Sequence, residues 1–276
     1  MEYTSVLNKA RRGNLEALYS LYDSCKNKAY HLARLLTVDE KAAKKVTSHA
    51  FHDAIADVLS GKVGSEADFE ALLTRKTISF SKSYCIHNNS KGFKVPQGKN
   101  FRIRPDEKSV TLGATGTVSV LKNLYPLLRF IYVIDELCDL SASKIADIFA
   151  ITAENVETAL SLKEENISYL ASIVSSKSKA ATYESVIADI KKDEEISGDI
   201  EQTIKAYIEN AAKPIAQKEK SRRIRTGSII AFIVIVALFV VCLVSAKYIG
   251  SDTEESSTSE TSSEVDEEES ESEDSE

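Results

Sequence analysis

The strongest constraint on this chain is a run of 18 uncharged residues near its C-terminal end, Ile229–Ala246. With Gly227–Ser228 and Tyr248–Ile249 it is long enough to cross a hydrocarbon core of about 30 Å as one helix. A buried core helix does not fit, because the run is apolar on every face. A cleavable signal peptide does not fit either, because the run lies far from the N-terminus. We therefore predict a single transmembrane helix over residues 227–249.

The charges that flank this run are unequal, and they predict its orientation. Five cationic side chains precede it: Lys218, Lys220, Arg222, Arg223 and Arg225. Lys247 alone follows before the acidic C-terminal segment. Because an excess of Lys and Arg marks the cytoplasmic side, we expect a single-pass protein of the cell membrane. Its N-terminal body would be cytoplasmic and its C-terminal tail extracytoplasmic.

The tail has a composition that disfavours folding. Residues 251–276 contain 13 Asp or Glu, 12 Ser or Thr and one Val. With so little apolar content we predict a disordered tail over residues 250–276. A plain solubilising role, cation binding, repulsion from a wall polymer and protease access all stay open. Removing these 13 negative charges from the net charge of −7 leaves residues 1–250 at +6.

The body has the composition of a helical protein. Hydrophobic residues make up 43% of the chain, which contains no Trp, four Pro and one Met. Apolar residues recur at helical spacing, which predicts an all-α fold. The predicted helices are Asn14–Leu36, a helix that opens with a capping box at Thr37–Glu40 and runs to Leu59, Phe69–Cys85, Pro126–Cys138, Tyr183–Ile190 and Asp199–Ile208.

Residues Leu140–Leu160 predict two short amphipathic helices joined by a tight turn at Ala150–Thr152. Thr152 is suited to cap the second helix. In DNA-binding versions of this pattern the second helix enters the major groove. The positions that define the helix-turn-helix are Ser141, Ile145, Ala146, Ile151, Val156, Glu157 and Leu160.

The predicted second helix is acidic where a DNA-reading helix would be basic. Lys163 is the single cation against four acids, which are Glu154, Glu157, Glu164 and Glu165. Such a surface repels the phosphates that supply most of the affinity for DNA. The pattern of the helices therefore favours a transcription factor, whereas the surface charge disfavours one.

Two helical blocks with these features resemble bacterial RNA polymerase sigma factors of the extracytoplasmic-function type. The first block is similar to the family's region two over Ala10–Leu36, and at Ala43, Val46, Phe51, Phe69, Leu72, Leu73 and Ile78. The second is similar to region four from Leu124 to Leu160, including Pro126, Arg129, Val133 and Glu136. The resemblance covers residues 3–170 and implies contact with polymerase core and promoter DNA.

The resemblance, the apolar run and the acidic tail together predict six segments. These are a region-two-like domain (1–88), a basic linker that contains Gly (89–118), a region-four-like domain (119–173), a helical juxtamembrane segment (174–226), the transmembrane helix (227–249) and the tail (250–276).

The chain departs from the family on its binding surfaces. Where the family carries acids on the helix that binds the polymerase clamp, this chain has Lys44, Lys45, Ser48 and His49. Such a charge reversal changes the electrostatic attraction that guides the chain towards polymerase. The turn position that is glycine in the family is Ala150 in this chain. Alanine with a positive φ costs about 1 kcal/mol relative to glycine.

A basic stretch over residues 73–108 keeps chemistry suited to nucleic acid, because cations alternate with aromatic rings such as Phe93 and Phe101. The candidate DNA-binding residues are Arg75, Lys76, Lys82, Tyr84, Lys91, Lys94, Arg102 and Arg104. Two alternatives stay open: a solvated basic linker, and a linker docked onto the acidic helix. In the second case the contact with Glu154, Glu157, Glu164 and Glu165 would be self-inhibitory.

No catalytic or metal-binding pattern emerges from the sequence. Phosphate-loop, dinucleotide-binding, zinc-protease and serine-hydrolase motifs are absent. His49 and His52 lie one helical turn apart without a third ligand at suitable spacing. Cys25, Cys85 and Cys138 are typical of reduced, partly buried thiols. We therefore expect neither an enzyme nor a bound cofactor or metal.

Three functions are compatible with these patterns. The first is a membrane-tethered, sigma-factor-like transcription regulator that binds RNA polymerase and promoter DNA. The alternative is a degenerate sigma-like module, an anti-sigma factor or signalling adaptor, that holds a partner at the membrane without binding promoters. The third is a structural membrane anchor with a vestigial body, which would have no binding partner. The lipid bilayer is expected to contact the chain in all three.

Overall fold

The computed structural model describes residues 3–88, 93–96, 100–105, 107–177, 180–192 and 194–249. Every regular element in these ranges is helical, which confirms the all-α prediction. A short 3-10 helix spans Glu107–Ser109. The α-helices are α1 (Tyr3–Arg11), α2 (Leu15–Thr37), α3 (Glu40–Leu59), α4 (Glu66–Asn88), α5 (Gly116–Asn123), α6 (Pro126–Leu137), α7 (Ala142–Phe149), α8 (Ala153–Ser161), α9 (Lys163–Ser176), α10 (Tyr183–Lys191) and α11 (Gly198–Ile249).

The junction between α2 and α3 differs from the predicted capping box. Thr37 is the last residue of α2, and its hydroxyl donates to the carbonyl of Ala33 (2.8 Å). Val38 then adopts a left-handed conformation (φ 51°), and Asp39 caps α3 by accepting from the Ala42 N–H. The predicted capping box at Thr37–Glu40 is therefore wrong. The left-handed residue Val38 ends α2, and Asp39 rather than Thr37 is the N-cap of α3.

Residues 1–220 form one compact unit that contains two hydrophobic cores. The first core lies among α1–α4 and residues 196–212. The second lies among α5–α10 and the ends of α2 and α4. Helix α2 supplies Leu21 and Tyr22 to the first core, and Leu32 and Leu36 to the second. The two predicted domains thus belong to a single compact unit.

The predicted linker is packed at several of its described positions. Phe101 and Ile103 are buried in the second core. Asn166 of α9 holds their backbone: the Ile103 N–H donates to Asn166 Oδ1 (2.9 Å), and Asn166 Nδ2 donates to the Phe101 carbonyl (2.9 Å). Helix α5 also begins inside the predicted linker, at Gly116. Gly and Asn content alone therefore underestimates the order of this segment.

The first part of α11 packs against the first core. Ile200, Ile204, Ile208 and Ala212 are buried at intervals of four residues, and they form one apolar stripe. The predicted amphipathic segment Asp199–Ile208 is this part of the helix. It lies over α3, where Tyr207 stacks on His52 with ring centroids 3.8 Å apart.

The second unit, residues 221–276, contains the remainder of α11. The side chains of residues 223, 225–229 and 239–249 lie outside the described part, as do the residues of the predicted tail (250–276). In the described portion of the chain, no helix has both the length and the apolar character that a bilayer crossing requires.

Gly13 has a conformation and a setting that exclude a side chain. Its φ is +76°, and a Cβ atom there would lie 2.8 Å from the Ala212 carbonyl oxygen and 2.9 Å from the Ala216 nitrogen. We expect Gly13→Ala to lower the free energy of unfolding by about 2–4 kcal/mol, because left-handed strain adds to a backbone clash. Denaturant titration of the full-length chain in detergent micelles measures this loss.

Gly61 provides the matched control. It also has a positive φ (+80°), but nothing lies within 4 Å of a Cβ atom there. Gly61→Ala should lower the free energy of unfolding by about 1 kcal/mol, from conformational strain alone. Equal losses in the two variants would contradict the close packing of Gly13 against α11.

Candidate nucleic-acid and protein interface

The predicted turn between two short helices is present as α7, Ala150–Thr152 and α8. Ser141 caps α7 by accepting from the Lys144 N–H, and Thr152 caps α8 by accepting from the Asn155 N–H. Ala150 adopts a left-handed conformation (φ 55°) and ends α7. The predicted turn and the predicted Thr152 cap are both confirmed.

The predicted helix-turn-helix positions divide between core and surface. Ile145, Ala146 and Val156 are buried, and Ile151 and Leu160 are partly buried against the second core. These positions fix how the two helices pack against each other.

The acidic surface is shared by two helices rather than confined to one. Helix α8 ends at Ser161, so Glu164 and Glu165 belong to α9. The assignment of these two residues to the second helix is wrong, because Leu162 (φ −101°, ψ 4°) separates the helices. Glu154 and Glu157 are exposed on α8. The exposed surface is therefore acidic across α8 and the start of α9.

Cations of the basic stretch on α4 contact other parts of the body. Lys76 pairs with Asp53 (3.3 Å) and Asp57 (3.1 Å) on α3. Lys82 donates to the Ile148 carbonyl (2.7 Å) in the last turn of α7, where a cation is favourable. Arg75 is exposed and Tyr84 is partly buried.

Further along the basic stretch, two arginines meet one carboxylate. Arg102 Nε lies 3.4 Å from Glu165, and Arg104 also pairs with Glu165. The Arg104 guanidinium lies 4.7 Å from the ring centroid of Tyr169. Contact between this stretch and the acidic surface therefore exists at Glu165, whereas its self-inhibitory role stays a prediction. Lys94 is exposed, and Lys91 lies outside the described residues.

Phe93 and Phe101 of the basic stretch pack against or within the second core. Phe93 lies against Phe130 and Phe149, with ring centroids 5.2 and 6.2 Å away. Phe101 is fully buried. Phe101 therefore presents no face on which a base could stack, and half-buried Phe93 is engaged by two other rings.

The predicted polymerase-facing residues lie on α3, part of which α11 covers. Lys44 pairs with Glu40 (3.3 Å) and with Asp199 of α11 (3.1 Å). Lys45 and His49 are exposed, and the His49 ring lies edge-on to Phe80. Ser48 lies 3.4 Å from His52 Nε2. The spacing of apolar residues over 200–208 predicted an amphipathic helix. It did not predict that this helix packs against α3.

A network of ion pairs joins α6, α9 and α10. Lys163 donates to Asp135 (2.7 Å) and to Glu136, and Lys191 lies 3.1 Å from Glu136. Burial alone would raise the pKa of Glu136, but hydrogen bonds from Lys163 and Lys191 outweigh burial and lower that pKa. The adjacent carboxylates Asp135 and Glu136 thus take part in a structural network.

Arg129 of α6 is 5% exposed, and its partners Leu36, Leu121 and Cys85 all belong to the second core. Its Nε donates to the Leu36 carbonyl (2.9 Å) and its Nη1 to the Leu121 carbonyl (3.3 Å). Its Nη2 lies 3.7 Å from Cys85 Sγ. Burial lowers the pKa of Arg129. Leu36 and Leu121 belong to the last turns of α2 and α5, whose partial negative charges offset part of the guanidinium charge.

Comparison with known proteins gives no relative. No protein-family model, curated protein or solved structure matches this chain. The surfaces described above therefore carry the functional argument.

The left-handed turn residue makes a stability prediction. We expect Ala150→Gly to raise the free energy of unfolding by about 0.5–1 kcal/mol, because glycine adopts positive φ without strain. Ala71, exposed within α4, is the control: Ala71→Gly should lower that free energy by a similar amount. Urea titration of both variants measures the two effects, and a loss of stability in Ala150→Gly would contradict the strain at the turn.

The ion-pair network makes a pH prediction. Because the pKa of Glu136 is lower in the folded state, its stabilisation is present above the usual value of 4.5 and is lost as pH falls through the folded-state pKa. Glu136→Gln should destabilise the protein by about 1–3 kcal/mol at pH 7 and flatten the fall in stability below pH 4.5. Glu157→Gln on the exposed surface is the control. Parallel pH profiles for wild type and Glu136→Gln would exclude this role.

Proposed function

We propose that the body of this chain is a sigma-like interaction module that holds a protein partner at the membrane and does not bind promoter DNA. The observation that carries this proposal is the pairing of Arg102 and Arg104 with Glu165. Two cations that could contact phosphate are thereby engaged by the chain itself. Membrane tethering rests on the apolar sequence of residues 227–249 and on its basic flank.

The acidic surface indicates the chemistry of the partner. Glu157 is exposed on α8 and Glu164 on α9, the helix whose Glu165 pairs with the arginines. A surface of this sign attracts Lys and Arg side chains and repels nucleic acid. The module therefore suits a protein partner that presents a basic surface, as an anti-sigma factor or adaptor would require of its target.

A second candidate is the sigma-factor-like transcription regulator. The α7–α8 pair favours it, because two capped helices joined by a left-handed residue are the arrangement that DNA-binding proteins use. In that function, breaking the contact with Glu165 would free Arg102 and Arg104 for DNA. The two candidates therefore differ in what happens when this contact is removed.

The experiment compares full-length wild type with Glu165→Gln, both in detergent micelles. Each is tested for capture of core RNA polymerase and for DNA binding at two salt concentrations. If the body is an interaction module, neither protein should capture polymerase stoichiometrically or bind DNA with a salt-sensitive affinity. Each phosphate that the protein neutralised would steepen the dependence of log K on log salt by about 0.9.

The control variant is Glu164→Gln, which neutralises a neighbouring acid without breaking the arginine pair. DNA affinity that appears in Glu165→Gln and not in Glu164→Gln would favour the second candidate and self-inhibition. Stoichiometric capture of polymerase by the wild-type protein would contradict the proposal that the body is an interaction module.

A further inference from the structure

A cavity of about 530 Å³ opens beside the buried guanidinium of Arg129. It lies where the α2–α3 junction, the end of α4 and the α5–α6 junction meet, all within residues 1–220. Volumes of about 300–1,000 Å³ are typical of small-molecule sites. The cavity is therefore large enough for an organic molecule as well as for a simple ion.

Arg129 lines this cavity, and its guanidinium has more N–H donors than the described acceptors that receive them. A guanidinium has five N–H donors. The described partners of Arg129 are two carbonyls and one thiol, so two N–H groups remain. Among the described residues, Arg129 makes no ion pair with a carboxylate. A buried cation without a full counter-charge favours the arrival of an anion.

The N-terminal end of α6 lies at the same cavity. Tyr125 and Pro126 line it, and Tyr125 gives the helix no side-chain cap. Because Pro126 has no N–H, the uncapped donors of the first turn are those of Leu127 and Leu128. Uncapped N–H groups and the positive end of the helix dipole bind oxyanions.

Among the described residues that line the cavity, the other charged side chains are those of Lys122 and Asp39. Lys122 is exposed on the rim. The Asp39 side chain accepts from the Ala42 N–H and so caps α3. In the described lining, one carboxylate with a backbone partner thus accompanies two cations and a helix N-terminus. The rings of Tyr84 and Tyr125 also line the cavity, and they offer an apolar surface to the body of a ligand.

We infer that this cavity is a binding site for a small organic anion, whose carboxylate or phosphate oxygens bridge the spare N–H groups of Arg129 and the N-terminus of α6. The site lies beside the second core, where α2, α4 and α6 meet. Because a ligand that binds only the folded state stabilises it, bound anion would stabilise this junction, and the inference does not depend on the proposed partner or on DNA.

The test is the thermal stability of the full-length chain in detergent micelles, followed by helical circular dichroism. The probes are benzoate and inorganic phosphate, added at constant ionic strength, with benzyl alcohol as the uncharged counterpart of benzoate. We expect a saturable rise in Tm of about 3–6 °C at ten times Kd. A response to benzoate alone identifies a carboxylate site, and a response to phosphate alone identifies a phosphate site. No saturable rise with either anion, or an equal rise with benzyl alcohol, overturns the inference.

Two pairs of variants locate the binding. Tyr125→Asp supplies a carboxylate cap from the chain itself, so it should raise Tm without probe and abolish the response to anion. Tyr125→Phe, which adds no carboxylate at this 54% exposed position, should respond as wild type does. Lys122→Ala should weaken the response several-fold, whereas Lys144→Ala, at an exposed lysine on α7, should leave it unchanged. A full anion response in Tyr125→Asp and Lys122→Ala would exclude this site.

Discussion

The guanidinium of Arg129 joins the two halves of the body. It donates to carbonyls in the last turns of α2 and α5, which belong to different sequence blocks. Both carbonyls lie at helix ends, where α-helical N–H partners are missing. The Leu121 carbonyl also accepts from the Leu124 N–H (3.3 Å) and the Leu36 carbonyl from Cys85 Sγ (3.7 Å), so the guanidinium adds a charged donor to each. The same contact fixes the position of α6 against α2, and with it the helices that follow. Removing the guanidinium would take the charged donor from two buried carbonyls and leave each with its weaker partner, the Leu124 N–H or the Cys85 thiol.

Asn166 has a similar role for the segment at Phe101–Ile103: it holds this backbone in place by hydrogen bonds. Its amide binds the backbone on both sides of Arg102, so the flanking apolar residues enter the second core while the charged residue faces outwards. That geometry brings Arg102 and Arg104 to Glu165. The arginine pairs therefore follow from a backbone that a buried amide holds in place.

Helical periodicity was sufficient to predict most of the described helices of the body and the turn at Ala150. It could not predict α5, because Gly116 and its neighbours have the composition of a loop, and the helix packs through Val120 and Leu121. Among the proposed interface residues, the sequence showed the charges but not their partners. The pairing of Lys44 with Asp199 spans 155 positions, and such contacts depend on tertiary packing rather than on local pattern.

Helix α2 contributes to both cores at once, and α4 does so through Phe69 and Leu73 on one side and Ile78 and Cys85 on the other. Regions that share a packed helix open together, whereas separate domains open independently. The amides of α2 should therefore exchange with solvent through the global opening of residues 1–220. Modularity in the sequence and cooperativity in the folded protein are thus different properties of this chain.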